Sequence, residues 1–283
     1  EFRRVLFRSP EAPARRRLAY DELLANQLAL SLVRGHLKRA AGRSLAGDGA
    51  KRRAIAAALP YRLTSAQDAA LAEIGADMAA PTRMLRLLQG DVGSGKTVVA
   101  LLALATAIEA GTQGAFMVPT EILARQHLAG LEPLCRAAGI ALALLTGREK
   151  GKAREETLAR LANGAVDLLI GTHALFQDDV AFRDLGLVVI DEQHRFGVHQ
   201  RLALQAKAGA TADLLVMTAT PIPRTLALTV YGDMDVSKLT EKPPGRLPID
   251  TRVMPISRLE DVIEGLGRTM AQGHRVYWVC PLV

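Results

Sequence analysis

Along residues 84–218, short apolar runs rich in Val, Ile and Leu alternate with longer segments whose apolar positions repeat at helical spacing. That alternation is the pattern of a parallel sheet covered by helices on both faces. It predicts strands at 84–89, 114–118, 141–145, 167–171, 187–190 and 214–218, and helices at 65–78, 96–110, 121–138, 152–162 and 198–205. Upstream, Leu24, Leu28 and Leu32, flanked by Leu23, Val33 and Leu37, predict an amphipathic helix over 18–37. Gly42, Gly47 and Gly49 then mark a loop, and a short basic helix at 51–59 ends at Pro60. KPPGRLP at 242–248 reads as a linker, because its prolines and glycine prevent continuous helix or sheet. A strand, a helix at 259–271 and a strand-like run at 276–280 are expected after it.

The organisation that follows is α/β, with a parallel sheet flanked by helices and preceded by a helical connector. Residues 1–14 read as an assembly scar, since EFRRVLFRSP has neither an initiator Met nor a secretory pattern. Residues 15–60 are the basic connector, 61–242 the main lobe, and 243–283 the linker and the beginning of a second lobe. With 49% apolar residues in 283, there is enough material for a sizeable core. The longest nearly apolar stretch, 98–108, is far short of the roughly 20 residues that cross a bilayer, so no membrane span is expected. Cys135 and Cys280 stand far apart without metal-ligand spacing, which fits a reducing cytoplasm.

The formal charge of +7 is unevenly spread. Residues 1–60 hold 13 Lys+Arg against 5 Asp+Glu, leaving 23 against 24 in the remainder. Arg15, Arg16, Arg17, Lys38, Arg39, Arg43, Lys51, Arg52 and Arg53 carry the excess, either to neutralise phosphates or as a solvated helix face.

The strongest chemical signal is GDVGSGKT at 90–97, which satisfies the phosphate-loop pattern between a predicted strand and a predicted helix. Gly90, Gly93 and Gly95 allow a tight path that turns the amides of Asp91, Val92 and Ser94 toward phosphate oxygens at a helix N-terminus. Lys96 reaches the β and γ phosphates, and Thr97 supplies a hydroxyl to Mg2+. A second signal is DEQH at 191–194, following the apolar run LVVI. Asp191 is placed to hold Mg2+, and Glu192 to orient and deprotonate the water that attacks the γ-phosphate. His127, His173, His194 and His199 lack the spacing of a metal set.

The phosphate loop, DEQH, and TAT at 218–220, in that order, resemble helicase superfamily 2. Within it, DEQHRFGVHQRLAL at 191–204, TATPIPRTL at 218–226 and PPGR at 243–246 resemble the RecG group of bacterial branched-DNA helicases, from about Arg15 to the end of the chain. Transcription-repair coupling translocases share much of this set, but Ser94 and the Gln193-His194 pair favour the RecG group.

The resemblance implies a RecA-like P-loop NTPase lobe that uses ATP and Mg2+. Gln67 would read the adenine edge, with Tyr61 as a possible ring contact; the alternative is a helix cap at Thr64 or Ser65 with an exposed Gln. Gln193 and His194 would sense the γ-phosphate. Pro119 and Thr120, Thr146 and Gly147, and Gly171, Thr172 and His173 would line a path for one DNA strand, although each taken singly also fits a capped turn. Thr218, Ala219 and Thr220 would couple nucleotide state to DNA grip.

The implied activity is that of a monomeric, cytoplasmic bacterial translocase on double-stranded DNA. It would remodel replication forks and Holliday junctions in repair and recombination, with a branch-reading wedge upstream. Superfamily 2 motors take an arginine finger from the second lobe, so this piece is expected to bind nucleotide weakly and hydrolyse it very slowly. The rivals are a transcription-repair coupling translocase, a metabolic P-loop kinase or transporter ATPase, which would explain the phosphate loop but not DEQH or TAT, and a nucleotide-binding module without turnover.

Overall fold

The computed structural model describes residues 12–37, 42–191, 212–219, 234–241 and 250–280. The expected helix at 198–205 and the linker at 242–248 lie outside the described residues. The chain divides into two units, residues 1–244 and 245–283.

In the first unit, α1 (Pro13–Leu37), α2 (Ala50–Ala58) and α3 (Ser65–Ala79) precede the sheet. Then come β1 (Leu85–Gly90), α4 (Lys96–Glu109), β2 (Gln113–Met117), α5 (Glu121–Ala137), β3 (Leu142–Leu145), α6 (Gly151–Ala162) and β4 (Leu168–Gly171). A short 3-10 helix (His173–Phe176), β5 (Leu185–Asp191), β6 (Asp213–Thr218) and β7 (Asp235–Leu239) follow among the described residues. The seven strands order as β3-β4-β2-β5-β6-β1-β7 and pair in parallel throughout. β7, which pairs with β1, was not expected from the sequence.

Successive side chains of a strand point to opposite faces, so a sheet covered twice needs apolar residues at every position. Leu87 packs on one side with Ala115, Val188 and Val216, and its neighbour Leu88 on the other with Phe116, Val189 and Leu215. Leu87 and Leu88 are fully buried, each contributing roughly 1.5–3 kcal/mol relative to exposure. α4 is buried along almost its whole length from Val98 to Ile108, between the sheet and the outer helices α2 and α3. That position explains its apolar run.

The connector docks through charge. Glu109, at the end of α4, accepts from the first amides of α2: Gly49 at 3.0 Å, Lys51, and Arg52 at 3.3 Å. Lys51 in turn donates to the carbonyls of Ala138 and Gly139 beyond α5, both at 3.2 Å. Arg43 makes a two-pronged pair with Asp184 at 2.9 and 2.8 Å. Part of the basic excess is therefore spent on holding the connector to the lobe. In α1 the expected helix forms, but Leu18, Leu23, Leu24 and Leu28 are exposed, because an amphipathic stripe is buried only where another element meets it.

The second unit contains a 3-10 turn at Ile256–Arg258 and α7 (Leu259–Ala271). The strands expected beside the linker and at 276–280 do not form among the described residues. A strand exists only as part of a ladder, and no ladder partner is described in this unit.

Candidate functional site

The loop between β1 and α4 takes its shape from glycines. Gly93 and Gly95 have φ of +77° and +89°, a region that L side chains avoid. A Cβ on Gly95 would also lie 2.1 Å from Nε2 of Gln67. Asp91 and Val92 are exposed on the loop, while Ser94 and Lys96 are buried beneath it. Lys96 Nζ donates to the carbonyls of Gly90 at 2.6 Å and Asp91 at 3.0 Å, so the ammonium lies under the turn. The hydroxyl of Ser94 is buried without a hydrogen-bond partner. A loop of this kind, opening α4 with its N-terminal amides, can hold an anion.

Gln67 is 1% exposed. Its Oε1 accepts from the Thr64 amide at 2.9 Å, and its Nε2 donates to the Ser94 carbonyl at 2.8 Å. Thr64 and Gln67 together form a capping box that starts α3. The cap and the phosphate-loop contact thus coexist, and the Gln is buried rather than exposed. Each end of its amide makes one bond and keeps one N–H and one lone pair, but the side chain is buried, so reading an adenine edge would require uncovering it. Tyr61 is 44% exposed.

Parallel pairing aligns the carboxyl ends of the strands. Gly90 is level with Leu239, Gln89 with Thr218, and Asp191 with Met217. Strands lie roughly 4.8 Å apart, so Asp191 at the end of β5 stands about two strand widths from the loop after β1. Its Oδ2 is 3.3 Å from Nε2 of His127 on α5, and both side chains are largely buried. The His127 ring also packs on Phe116, with centroids 5.0 Å apart and a 57° tilt. Thr218 is buried and Ala219 half-buried; Glu192, Gln193, His194 and Thr220 lie outside the described residues.

The same edge continues through β2, β4 and β3, where Met117, Gly171 and Leu145 are level. Pro119 and Thr120 follow β2, Gly171 ends β4 with Thr172 and His173 after it, and Thr146 and Gly147 follow β3, so the sheet brings the expected strand-path loops side by side. Thr120 caps α5 by accepting from the Leu123 amide. Gly147 and His173 are exposed. Thr146 and Thr172 are buried, so their hydroxyls do not face outward. That of Thr172 has no hydrogen-bond partner, and that of Thr146 donates to Glu149 at 2.5 Å. Burial pushes the Glu149 carboxyl up, but the hydroxyl and amide of Thr146, with Arg125 nearby, outweigh it and hold the carboxyl below its ordinary value. Arg125 pairs with Glu149 at 3.0 Å and Arg148 with Glu121 at 2.7 Å, tying α5 to the loop after β3.

His127, Glu149 and Arg148 did not stand out in the sequence as functional partners. His127 and Asp191 are 64 residues apart, and only the adjacency of β2 and β5 brings them together. Among the described residues no group of three or more His, Cys, Asp or Glu side chains could hold a metal ion, and no helix is long and apolar enough to cross a membrane.

Residues 64–229 match the DEAD/DEAH box helicase family. The chain is 50% identical over 275 residues to ATP-dependent DNA helicase RecG of Acidithiobacillus ferridurans, covering 97% of this chain and 40% of the relative. It is 49% identical over 271 residues to the RecG of Bacillus subtilis (strain 168), covering 95% of this chain and again 40% of the relative. The chain thus spans 40% of the length of these relatives. A solved structure of RecG bound to a three-way DNA junction matches 92% of this chain and 35% of its own, with a TM-score of 0.79 at 45% identity. The DEAD-box helicase Mss116 bound to ssRNA and UDP-BeF shares the fold, with a TM-score of 0.61 at 16% identity over 80% of this chain and 51% of its own. The seven-stranded sheet is a RecA-like helicase fold.

Proposed function

Because the chain belongs to the DEAD/DEAH box helicase family, we propose that it is the ATP-binding lobe of a DNA translocase that remodels branched double-stranded DNA. The observation that carries this is the shared carboxyl edge, where the loop at 90–97 and Asp191 lie along the same side of the sheet as the loops after β2, β4 and β3. The 50% identity to RecG points to junctions, meaning replication forks and Holliday junctions, as the substrate class. A bacterial cytoplasm is the fitting location.

In this reading the amides of residues 90–95 cradle the ATP phosphates. The positive-φ glycines and the unpartnered Ser94 hydroxyl suit such a cradle. Lys96 exchanges two carbonyl acceptors for phosphate oxygens, a change of partner that keeps its charge hydrogen-bonded throughout. Thr97 and Asp191 would hold Mg2+, which supplies a Lewis acid at the phosphates when bound. Glu192 would orient and deprotonate the attacking water, and Gln193 and His194 would sense the γ-phosphate. Gln67 reads adenine through the N–H and the lone pair of its amide that the Ser94 and Thr64 bonds leave over. Gly147, His173 and the α5 N-terminus behind Thr120 contact the DNA backbone. Thr218, Ala219 and Thr220 link the nucleotide to that grip.

The test uses the full-length gene product and a three-way junction. Wild type should separate the junction only with ATP and Mg2+. Glu192→Gln should bind ATP but show no turnover. Unwinding by Glu192→Gln at the wild-type rate would refute the role of Glu192, and ATP-independent unwinding would refute the motor itself.

A further inference from the structure

The carboxyl edge divides into two contiguous halves. β3, β4 and β2 carry the loops assigned above to DNA, and β5, β6 and β1 carry those assigned to nucleotide. The boundary falls between β2 and β5. Across it His127 on α5 makes a polar side-chain contact with Asp191 at the tip of β5.

Several features make this contact a fixed one. The His127 ring also packs against the Phe116 ring, 5.0 Å between centroids. The two polar side chains are only 16% and 13% exposed, so water competes weakly for either. With its proton on Nε2 the ring donates to Oδ2, a bond that leaves Oδ1 of Asp191 available as a second acceptor. α5 is itself anchored at its start by the Thr120 cap and by the pairs Glu121 with Arg148 and Arg125 with Glu149.

We propose that His127 is a positioning residue that orients the Asp191 carboxylate for Mg2+ and couples it to the helix that follows the DNA-facing loop of β2. The proposal rests on the assignment of Asp191 to Mg2+ made above. A partner that holds a ligating carboxylate typically changes metal affinity by roughly 10–100-fold when removed.

The test measures retention of a fluorescent, slowly hydrolysed ATP analogue by this 283-residue chain while Mg2+ is varied. His127→Ala should raise the Mg2+ concentration for half-maximal retention by about 10-fold. Its affinity for the analogue without Mg2+ should stay as in wild type. His127→Gln, whose amide can still donate, should recover most of the loss. In an Asp191→Asn background His127→Ala should have no further effect, because the group it positions is gone.

An Mg2+ midpoint for His127→Ala within about twofold of wild type would overturn the proposal, given the scale of such effects. So would an undiminished effect in the Asp191→Asn background, or failure of a folded His127→Gln to recover any of the loss. If wild type itself retains the analogue without regard to Mg2+, the assignment of Asp191 fails first, and the role of His127 falls with it.

Discussion

Asp213 opens β6 with 1% exposure, one oxygen accepting from the Met84 amide at 2.7 Å and the other buried without a partner. Burial pushes its carboxyl up to about 7, against the Met84 amide and Arg83, which pull it down, and with Asp77 adding to the rise. In the unfolded chain an Asp titrates near 3.9. The folded pKa is therefore the higher one, so the stabilising contribution is complete below about pH 4 and is lost as pH rises toward 7. Within that window the slope is at most about 1.4 kcal/mol per pH unit. Asp213→Asn keeps an acceptor for Met84 and cannot ionise. Urea unfolding midpoints at pH 5 and pH 8 should differ less for this variant than for wild type; an unchanged difference would show that another group governs it. At this scale the sequence was legible where chemistry is local: the glycines and Lys96 of the phosphate loop fall within eight residues. It was not legible where a side chain finds its partner through the fold. Gln67 reaching Ser94, His127 reaching Asp191, and Arg43 reaching Asp184 leave no spacing to read.

Among the elements, six strands and the main helices were readable because a doubly covered sheet forces unbroken apolar runs. β7 was not, since DVSKL buries only Ser237 and Leu239 fully. Its place is set by tertiary contacts: Arg86 of β1 reaches Ser237 at 2.8 Å while pairing with Glu73 and Asp77 of α3. Just past β7, Glu241 accepts from the Ser65 hydroxyl at 2.5 Å and the Ala66 amide at 3.5 Å, adding a second tie to the start of α3. The bonds from Ser65 and Ala66 hold the Glu241 carboxyl below its ordinary value. α2 depends on a comparable device, since Glu109 serves as the acceptor for its first amides while Gly49 at its start offers no side chain. Glu109→Ala should lower stability by about 0.5–2 kcal/mol, the usual worth of a cap. The expected readout is a lower urea midpoint with nucleotide affinity retained. Loss of affinity at unchanged stability would mean that α2 is part of the site rather than of its support.

At the scale of the whole molecule, parallel pairing turns residues far apart in sequence into neighbours along one edge, and α4 sits inside the lobe so that its N-terminus meets the phosphate loop from a rigid base. The order β3-β4-β2-β5-β6-β1-β7 could not be read from the sequence, because periodicity gives strands but not their neighbours. That order is what separates the two halves of the edge and makes the nucleotide site the centre of the proposed function. The most direct measurement is binding of an ATP analogue in Mg2+ by calorimetry, comparing the chain with its Lys96→Ala variant. One saturable site in wild type, weakened at least about 10-fold in Lys96→Ala through loss of charge-assisted bonds to phosphate, is the expected result. Equal affinity in the two proteins, both folded, would contradict it and leave the loop at 90–97 without its assigned ligand.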